Sequence, residues 1–386
     1  MTTLTNFRLW DGVSGDIDAG IDTMAFDGGR ITAIGASGDF ELRNAINLEG
    51  ATVMPGLIDA HVHLCLDPDD RDPLAHTKLD DDDMLGRMRV RARDMVRAGI
   101  TTARDLGGGR WLELSVRDEI AAGKTPGPRL LCAGQPITTP AGHCHFWGGV
   151  CQSDDDIETV LARQIGQGVD LIKVMATGGS ITPDSRPVDS QFDRAALEKI
   201  VSLASANDRH VAAHCHGTNG IRDAAAAAIA TIEHCSWVGD AWGSDYDDET
   251  AREIAAKGLR VSPTISLGWQ RRLESDWGKR MCRNFAAMKA SGVEFIASTD
   301  AGIPGVCHAD LAKAIPVQAN YLGLTPVGAL QMATSQTAAA IGLGAVTGRL
   351  APGFDADVLV VDGDPLTDLA CLAVPVNVFA RGVSVL

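Results

Sequence analysis

The stretch Leu57-Ile-Asp-Ala-His-Val-His-Leu64 decides how the chain is read. Its two imidazoles, His61 and His63, stand one residue apart in a largely apolar run. Successive side chains of a strand point to opposite faces, so both rings share one face. Two buried rings on one face carry polar nitrogens that need partners, and a metal ion is one partner that serves both.

Outward from that run, apolar strand-like segments begin near Leu57, Ile100, Arg129, Leu171, His210, Thr231, Arg260 and Glu294. Helical patterns separate most of them, as in Met84–Ala98, Asp156–Gln167, Arg194–Ala206 and Ile221–Ile229. Strand-then-helix units repeated over about 270 residues predict an α/β chain folded as a (β/α)8 TIM barrel. A doubly wound open sheet is the alternative, but no G-x-G-x-x-G turn follows an early strand. The two ends of the chain have another texture. Thr23–Ile34 and Ala45–Leu48 near the start, and Ala356–Asp362 and Val374–Ala380 near the finish, read as short strands between Gly and Asp turns. Paired, they predict a small composite β-sandwich domain made of residues 1–54 and 348–386, around a barrel of residues 55–347.

Active-site groups of such a barrel sit at the C-terminal ends of its strands. There stand His61 and His63 on the first strand, Lys173 within the fourth, His214 and His216 on the fifth, His234 on the sixth and Asp300 on the eighth. Imidazole and carboxylate suit zinc and its neighbours, and a catalytic ion keeps one position for water. His61, His63, Lys173, His214, His234 and Asp300 exceed the needs of one open tetrahedral ion; they suit two divalent ions sharing a hydroxide. Lys173 is the odd member, because a dication repels an ammonium. A desolvated lysine near positive charge has a lowered pKa and becomes nucleophilic. It can then take up carbon dioxide and present an anionic carbamate to both ions. The plainer alternative is a buried lysine paired with an acid such as Glu233.

These residues, in this order, resemble the amidohydrolase superfamily in its binuclear, carboxylated-lysine form. The resemblance rests on Met54-Pro-Gly-Leu-Ile-Asp-Ala-His-Val-His63, the Lys173 strand, His214, His234, Ser298-Thr-Asp300 and the closing Gly353-Phe-Asp-Ala-Asp-Val-Leu-Val-Val-Asp-Gly-Asp364. Thr101-Thr-Ala-Arg-Asp-Leu-Gly107 and Lys173-Val-Met-Ala-Thr-Gly-Gly179 resemble its dipeptidase and imidazolonepropionase-like branch. The resemblance implies His61, His63 and Asp300 on the more buried ion, His214 and His234 on the more exposed one, and carboxylated Lys173 between them. It implies two zinc ions as cofactors, with carbon dioxide or bicarbonate for the carboxylation. It further implies hydrolysis of the amide C–N bond of a dipeptide or N-acyl amino acid. A metal-bridging hydroxide attacks, and Asp300 takes its proton and returns it to the leaving amine. His216 shares a strand face with His214 and is a candidate to polarise the carbonyl, at a position where dipeptidase relatives often carry a tyrosine. His143, in the loop 140–148 after the third strand, is the other candidate, as a wall of the pocket. The same site would serve the alternative of ring opening in a cyclic amide, lactone or imidazolone. Deamination is a second alternative, weakened by Gly217, where deaminase relatives carry a glutamate.

A formal charge of −16 argues against a phosphate-backbone partner. No apolar stretch reaches the length that spans a bilayer. The expected partner is a small molecule or dipeptide, not nucleic acid or membrane, and a homo-oligomer is compatible with the sequence. The first residues lack the basic and apolar regions of a signal peptide, and nine irregularly spaced cysteines read as reduced thiols; both suggest a cytoplasmic protein. Cys215 and Cys235 each follow a ligand and should turn away from it. Asp105 is a candidate to orient a ligand histidine. The acidic stretches Asp67–Pro73 and Asp80–Asp83 read as a solvated face, or else as a means of steering a cationic substrate. Arg186 is a candidate to hold a substrate carboxylate.

Overall fold

The apolar runs form parallel strands because both of their faces are covered. In the computed structural model, which describes residues 1–72, 74–240 and 243–386, every residue of Leu57–Val62 and of Ile100–Asp105 is buried. Continuous burial on both faces is what a parallel strand flanked by helices requires. Each Val, Ile or Leu so buried contributes about 1.5–3 kcal/mol of transfer free energy. Leu57–Val62, Ile100–Asp105 and Arg129–Cys132 make a three-stranded parallel sheet. Gly149–Val150, Ile137–Thr138, Ile172–Met175, Val211–Gly217, Thr231–Val238, Arg260–Ser262 and Glu294–Phe295, in that spatial order, make a seven-stranded one. Backbone bonds link the two sheets at the 57–62 edge: Ala60 N–H donates to Ala297 O at 2.9 Å, Asp300 N–H to His61 O at 2.9 Å, and His63 N–H to Ala301 O at 2.8 Å. Near the other edge, Asp170 N–H donates to Cys132 O at 2.9 Å. The eighth strand is only Glu294–Phe295, so Asp300 lies beyond it, on a segment held against the first strand.

Of the helices read from the sequence, Arg194–Ser205 begins where expected and the others begin earlier than hydrophobic periodicity alone indicates. Asp81–Arg97 starts three residues before Met84, because the Asp80 carboxylate caps it by accepting from Asp83 N–H and three further aspartates fill its first turn. Asp154–Gln167 starts two residues before Asp156, behind a capping box of Ser153 and Asp156. Acidic residues at these positions meet unsatisfied N–H groups and the positive end of the helix dipole. The run Asp80–Asp83 is therefore a helix start. The other acidic stretch is partly neutralised within the fold, with Asp67 against Arg91 at 2.9 Å and Asp72 against Lys78 at 2.6 Å. Pro73, in that stretch, lies outside the described residues.

Both chain ends meet in one sheet. Its strands run Val383–Ser384, Pro375–Ala380, Val358–Val361, Thr52–Pro55 and Arg8–Leu9, and Val358–Val361 lies antiparallel to Thr52–Pro55. A second sheet contains Arg30–Gly35, Thr23–Asp27, Thr2–Thr5 and Ile46–Asn47. Leu4, Phe26, Ile31, Val53, Val358 and Phe379 fill a common core between segments hundreds of residues apart in sequence. Among the described residues, no helix is long and apolar enough to cross a membrane.

Candidate metal centre

Strand alternation brings His61 and His63 to one side, as their spacing requires, with ring centroids 5.2 Å apart. Asp300 comes to them from a segment more than two hundred residues further along the chain. Its Oδ1 stands 3.3 Å from His61 Nε2 and 3.4 Å from His63 Nε2. Asp300 has a left-handed φ of 63°, which an L residue adopts at a cost and which recurs at functional sites. His234 shares this feature with a φ of 63°, as do Cys235, Trp237 and Thr264. Simple alternation therefore does not place His234. A local backbone reversal inside Thr231–Val238 turns its ring toward His214 and His216, whose centroids lie 4.5 Å away.

Two donor sets result. The potential ligand atoms of His61, His63 and Asp300 lie within 4.8 Å of one another, and so do those of His214, His216 and His234. His216 thus belongs to the second donor set, its ring stacked on that of His234, rather than standing aside as a carbonyl-polarising group alone. Both sets and Lys173 line one cavity of about 210 Å³, together with His143, Trp147, Ser180, Ile181 and Trp269.

The buried rings are held in defined orientations. His61 Nδ1 bonds Glu233 Oε2 at 2.9 Å, and His63 Nδ1 bonds the Gly107 carbonyl at 2.9 Å, which leaves both Nε2 atoms toward Asp300. His234 Nδ1 bonds Thr264 Oγ1 at 2.8 Å, and His216 Nδ1 bonds Ser236 Oγ at 2.7 Å. His214 is reversed: Nε2 bonds the Gly178 carbonyl at 3.0 Å, and Nδ1 remains for a ligand. Burial pushes the His61 imidazole down to about 4, with Lys173 adding to the effect. Burial likewise lowers His216 to about 4, and drives His214 and His234 well below the usual value. Neutral imidazoles are the form a metal ion takes up. Burial alone would raise Asp300, but the neighbouring His61 and the hydrogen bond from His63 hold it below the ordinary carboxylate range.

Lys173 is 1% exposed and its Nζ has no hydrogen-bond partner among the described residues. Glu233, the acid that sequence proximity offered it, is engaged elsewhere. Glu233 accepts from His61, from Arg104 Nη2 at 2.8 Å and from Thr231 Oγ1 at 2.6 Å. Burial lowers the Lys173 ammonium to about 8, against the pull of Glu233 and Asp300. An orphaned amine in such a place costs free energy unless something else engages it. The donor chemistry of the two sets and this unpaired amine fit a pair of divalent cations with an anionic group between them.

His143 joins the cavity with its ring 4.5 Å from that of His214 and its Nδ1 without a hydrogen-bond partner among the described residues. Thr138 Oγ1 donates to the His143 carbonyl at 2.8 Å, and His143 N–H donates to the Gln191 side chain. A Cβ on Gly179 would lie 2.4 Å from the His143 ring, so glycine is needed there to seat it. Asp105 acts through the backbone rather than on a ring, accepting from Leu64 N–H at 2.8 Å and Gly107 N–H at 2.9 Å, on either side of His63. Arg186 is exposed and paired with Asp189 by two contacts of 2.8 and 2.6 Å, outside the cavity that the two donor sets line. Gly217 has no room for a glutamate, since a Cβ there would lie 2.6 Å from the Val188 carbonyl. Cys215 and Cys235 are buried, and Cys215 Sγ lies 3.8 Å from the Gly220 carbonyl. Sequence reasoning missed Glu233 as the holder of His61, along with Arg104, Thr264 and Ser236. Arg104 and Glu233, charged residues inside apolar strands, were the available signal.

Known proteins resemble this chain in sequence and fold. The profile described as the amidohydrolase family matches residues 52–385. Ochratoxinase of Aspergillus niger is 27% identical over 363 residues, covering 84% of this chain and 72% of that protein. Imidazolonepropionase of Chloroflexus aggregans is 24% identical over 387 residues, covering 88% and 84%. A crystal structure of a Xaa-Pro dipeptidase with methionine bound in the active site superposes with a TM-score of 0.87 at 26% identity, covering 99% of each chain.

Proposed function

This chain belongs to the amidohydrolase family, as a hydrolase of C–N bonds, and from that premise we propose that it cleaves the amide bond of a dipeptide or N-acyl amino acid. The fold reading that accompanies the proposal is a closed (β/α)8 barrel of residues 55–347 beneath a composite β domain of residues 1–54 and 348–386. The observation that carries the proposal is the pair of donor sets around the unpaired Lys173 amine in one cavity.

His61, His63 and Asp300 would hold one divalent cation, and His214 and His234 the other, with His216 beside them as a third imidazole. Zinc suits this nitrogen-rich donor set. When bound, the cations supply Lewis acidity and an acidified water. Lys173 fits between the sets as a carbamate: its neutral amine forms an N–C bond to carbon dioxide and releases one proton to solvent. The resulting anion meets the need that the bare amine leaves open.

Asp300 lies where the attacking water would be deprotonated, and it keeps its carboxylate ionised for that purpose. It accepts the water proton and later delivers it to the departing amine nitrogen, so that one residue serves as base and then acid. His143, neutral and aimed into the cavity, is placed to donate a hydrogen bond to the carbonyl oxygen as negative charge develops there. Trp147, Ile181 and Trp269 supply the large apolar part of the cavity lining.

The test is a screen of zinc- and bicarbonate-reconstituted protein against dipeptides, N-acyl amino acids, cyclic amides and lactones. Turnover concentrated among open-chain amides with a free carboxylate is expected. Turnover confined to cyclic substrates would replace this reading with ring opening.

A further inference from the structure

The cavity that holds the two donor sets continues into a second one of about 470 Å³, and the two share Ser180, His216, His234, Thr264 and Trp269. This annex is walled by Trp269, Trp277, Arg272, Arg280 and Met281. Its aromatic wall is an edge-to-face group: Trp269 meets Trp277 with centroids 4.6 Å apart and, behind it, Tyr321 at 5.2 Å. Tyr321 Oη donates to the Trp269 carbonyl at 3.0 Å, which anchors the 3-10 turn Leu267–Arg272 after the seventh barrel strand. The Arg272 guanidinium lies 3.9 Å from the centre of the Trp277 ring, a cation–π geometry that fixes its position.

Neither Arg272 nor Arg280 has a carboxylate or hydrogen-bond partner for its guanidinium among the described residues. This contrasts with Arg186 on the neighbouring rim, which is neutralised by Asp189. In a chain of charge −16, two uncommitted guanidiniums facing one cavity are a distinctive feature. A planar guanidinium recognises a carboxylate through paired hydrogen bonds, and a partly dry, aromatic wall strengthens that contact.

We infer that the annex is the subsite for the leaving amino acid, with Arg272 and Arg280 gripping its free α-carboxylate and Trp269 and Trp277 receiving an apolar or aromatic side chain. The inference rests on the amide-hydrolase reading above and adds its substrate class: N-acylated amino acids with a free C-terminal carboxylate and a bulky apolar side chain. The acidic stretch Asp67–Asp72 and Arg186 play no part in it.

A binding measurement separates this inference from the hydrolase reading. N-methanesulfonyl-L-phenylalanine has no amide to hydrolyse, and its primary carboxamide is a neutral counterpart in which NH2 replaces one carboxylate oxygen. Calorimetric titration of both into the zinc-reconstituted protein is expected to show the acid bound at least about tenfold more tightly than the carboxamide, the scale of one charge-assisted contact. In Arg272→Gln and Arg280→Gln that preference is expected to shrink, and in the double variant to vanish, while carboxamide affinity stays constant. Arg280→Gln leaves the Trp277 stack intact, so it reports even if Arg272→Gln disturbs the turn. Equal binding of acid and carboxamide by the unaltered protein, or a preference that survives in the double variant, would overturn the inference. Absence of amide turnover in the same preparation would count against the hydrolase reading alone.

Discussion

At the scale of single residues, the site depends on a few side chains whose neighbours leave them one useful atom each. Asp300 is the sharpest case, because both the donor set and the proton transfer pass through it. Asp300→Asn is expected to lower kcat about a hundred- to ten-thousandfold with an unchanged melting profile; near-normal turnover would rule out the proton transfer described. Lys173→Ala removes the orphaned amine and is expected to reduce retained metal. Recovery of metal content and activity in added short-chain carboxylic acids would identify the missing group as an anion. Gly179→Ala tests His143 without touching it. The added methyl would lie 2.4 Å from the ring, so His143 must move, and a fall in kcat of about a hundredfold is the expected sign of a lost oxyanion donor.

At this scale the sequence was informative for the ligands and silent on their supports. His61 and His63 were legible because two polar rings in an apolar run demand an explanation. Glu233 was not, because its partner His61 is 172 residues away and only folding brings them together. Arg272 and Arg280 escaped for a similar reason: in the sequence they are ordinary charges on a polar segment, and their unpaired state exists only in three dimensions.

At the scale of elements, strand starts at Leu57, Ile100, Arg129, Thr231, Arg260 and Glu294 agree with the sequence reading, since burial on both faces leaves an unbroken apolar signal. Helix starts were less legible, because aspartates that cap and fill a first turn look like loop. The Asp80 cap carries a direct expectation. Asp80→Ala should destabilise the protein by about 1 kcal/mol in urea unfolding while leaving kcat unchanged, and a larger effect on kcat than on stability would return the acidic run to a steering role. The composition of Thr231–Val238 gave no sign of its backbone reversal, since positive φ at His234, Cys235 and Trp237 reflects the site the strand must build.

At the scale of the whole molecule, buried charge ties stability to pH. Glu113 is 1% exposed, neither of its carboxyl oxygens has a well-formed hydrogen bond among the described residues, and burial, with Asp105 adding to it, raises it to about 8 against the pull of nearby backbone N–H groups. The native state therefore holds a proton that the unfolded chain releases above about pH 4.5, so this residue lowers stability as pH climbs from there to about 8. Glu113→Gln should be more stable than the unaltered protein at pH 8, by up to a few kcal/mol, with the difference fading toward pH 4. An equal difference at both pH values would show that the carboxyl titrates alike in the folded and unfolded chain.

The account stands or falls on two cations meeting around Lys173. Anomalous diffraction from crystals of zinc- and bicarbonate-reconstituted protein tests this directly. Two peaks are expected, one among His61, His63 and Asp300 and one among His214, His216 and His234, with continuous density from Lys173 Nζ reaching between them. A single peak, or two peaks beside an unmodified lysine, would contradict it.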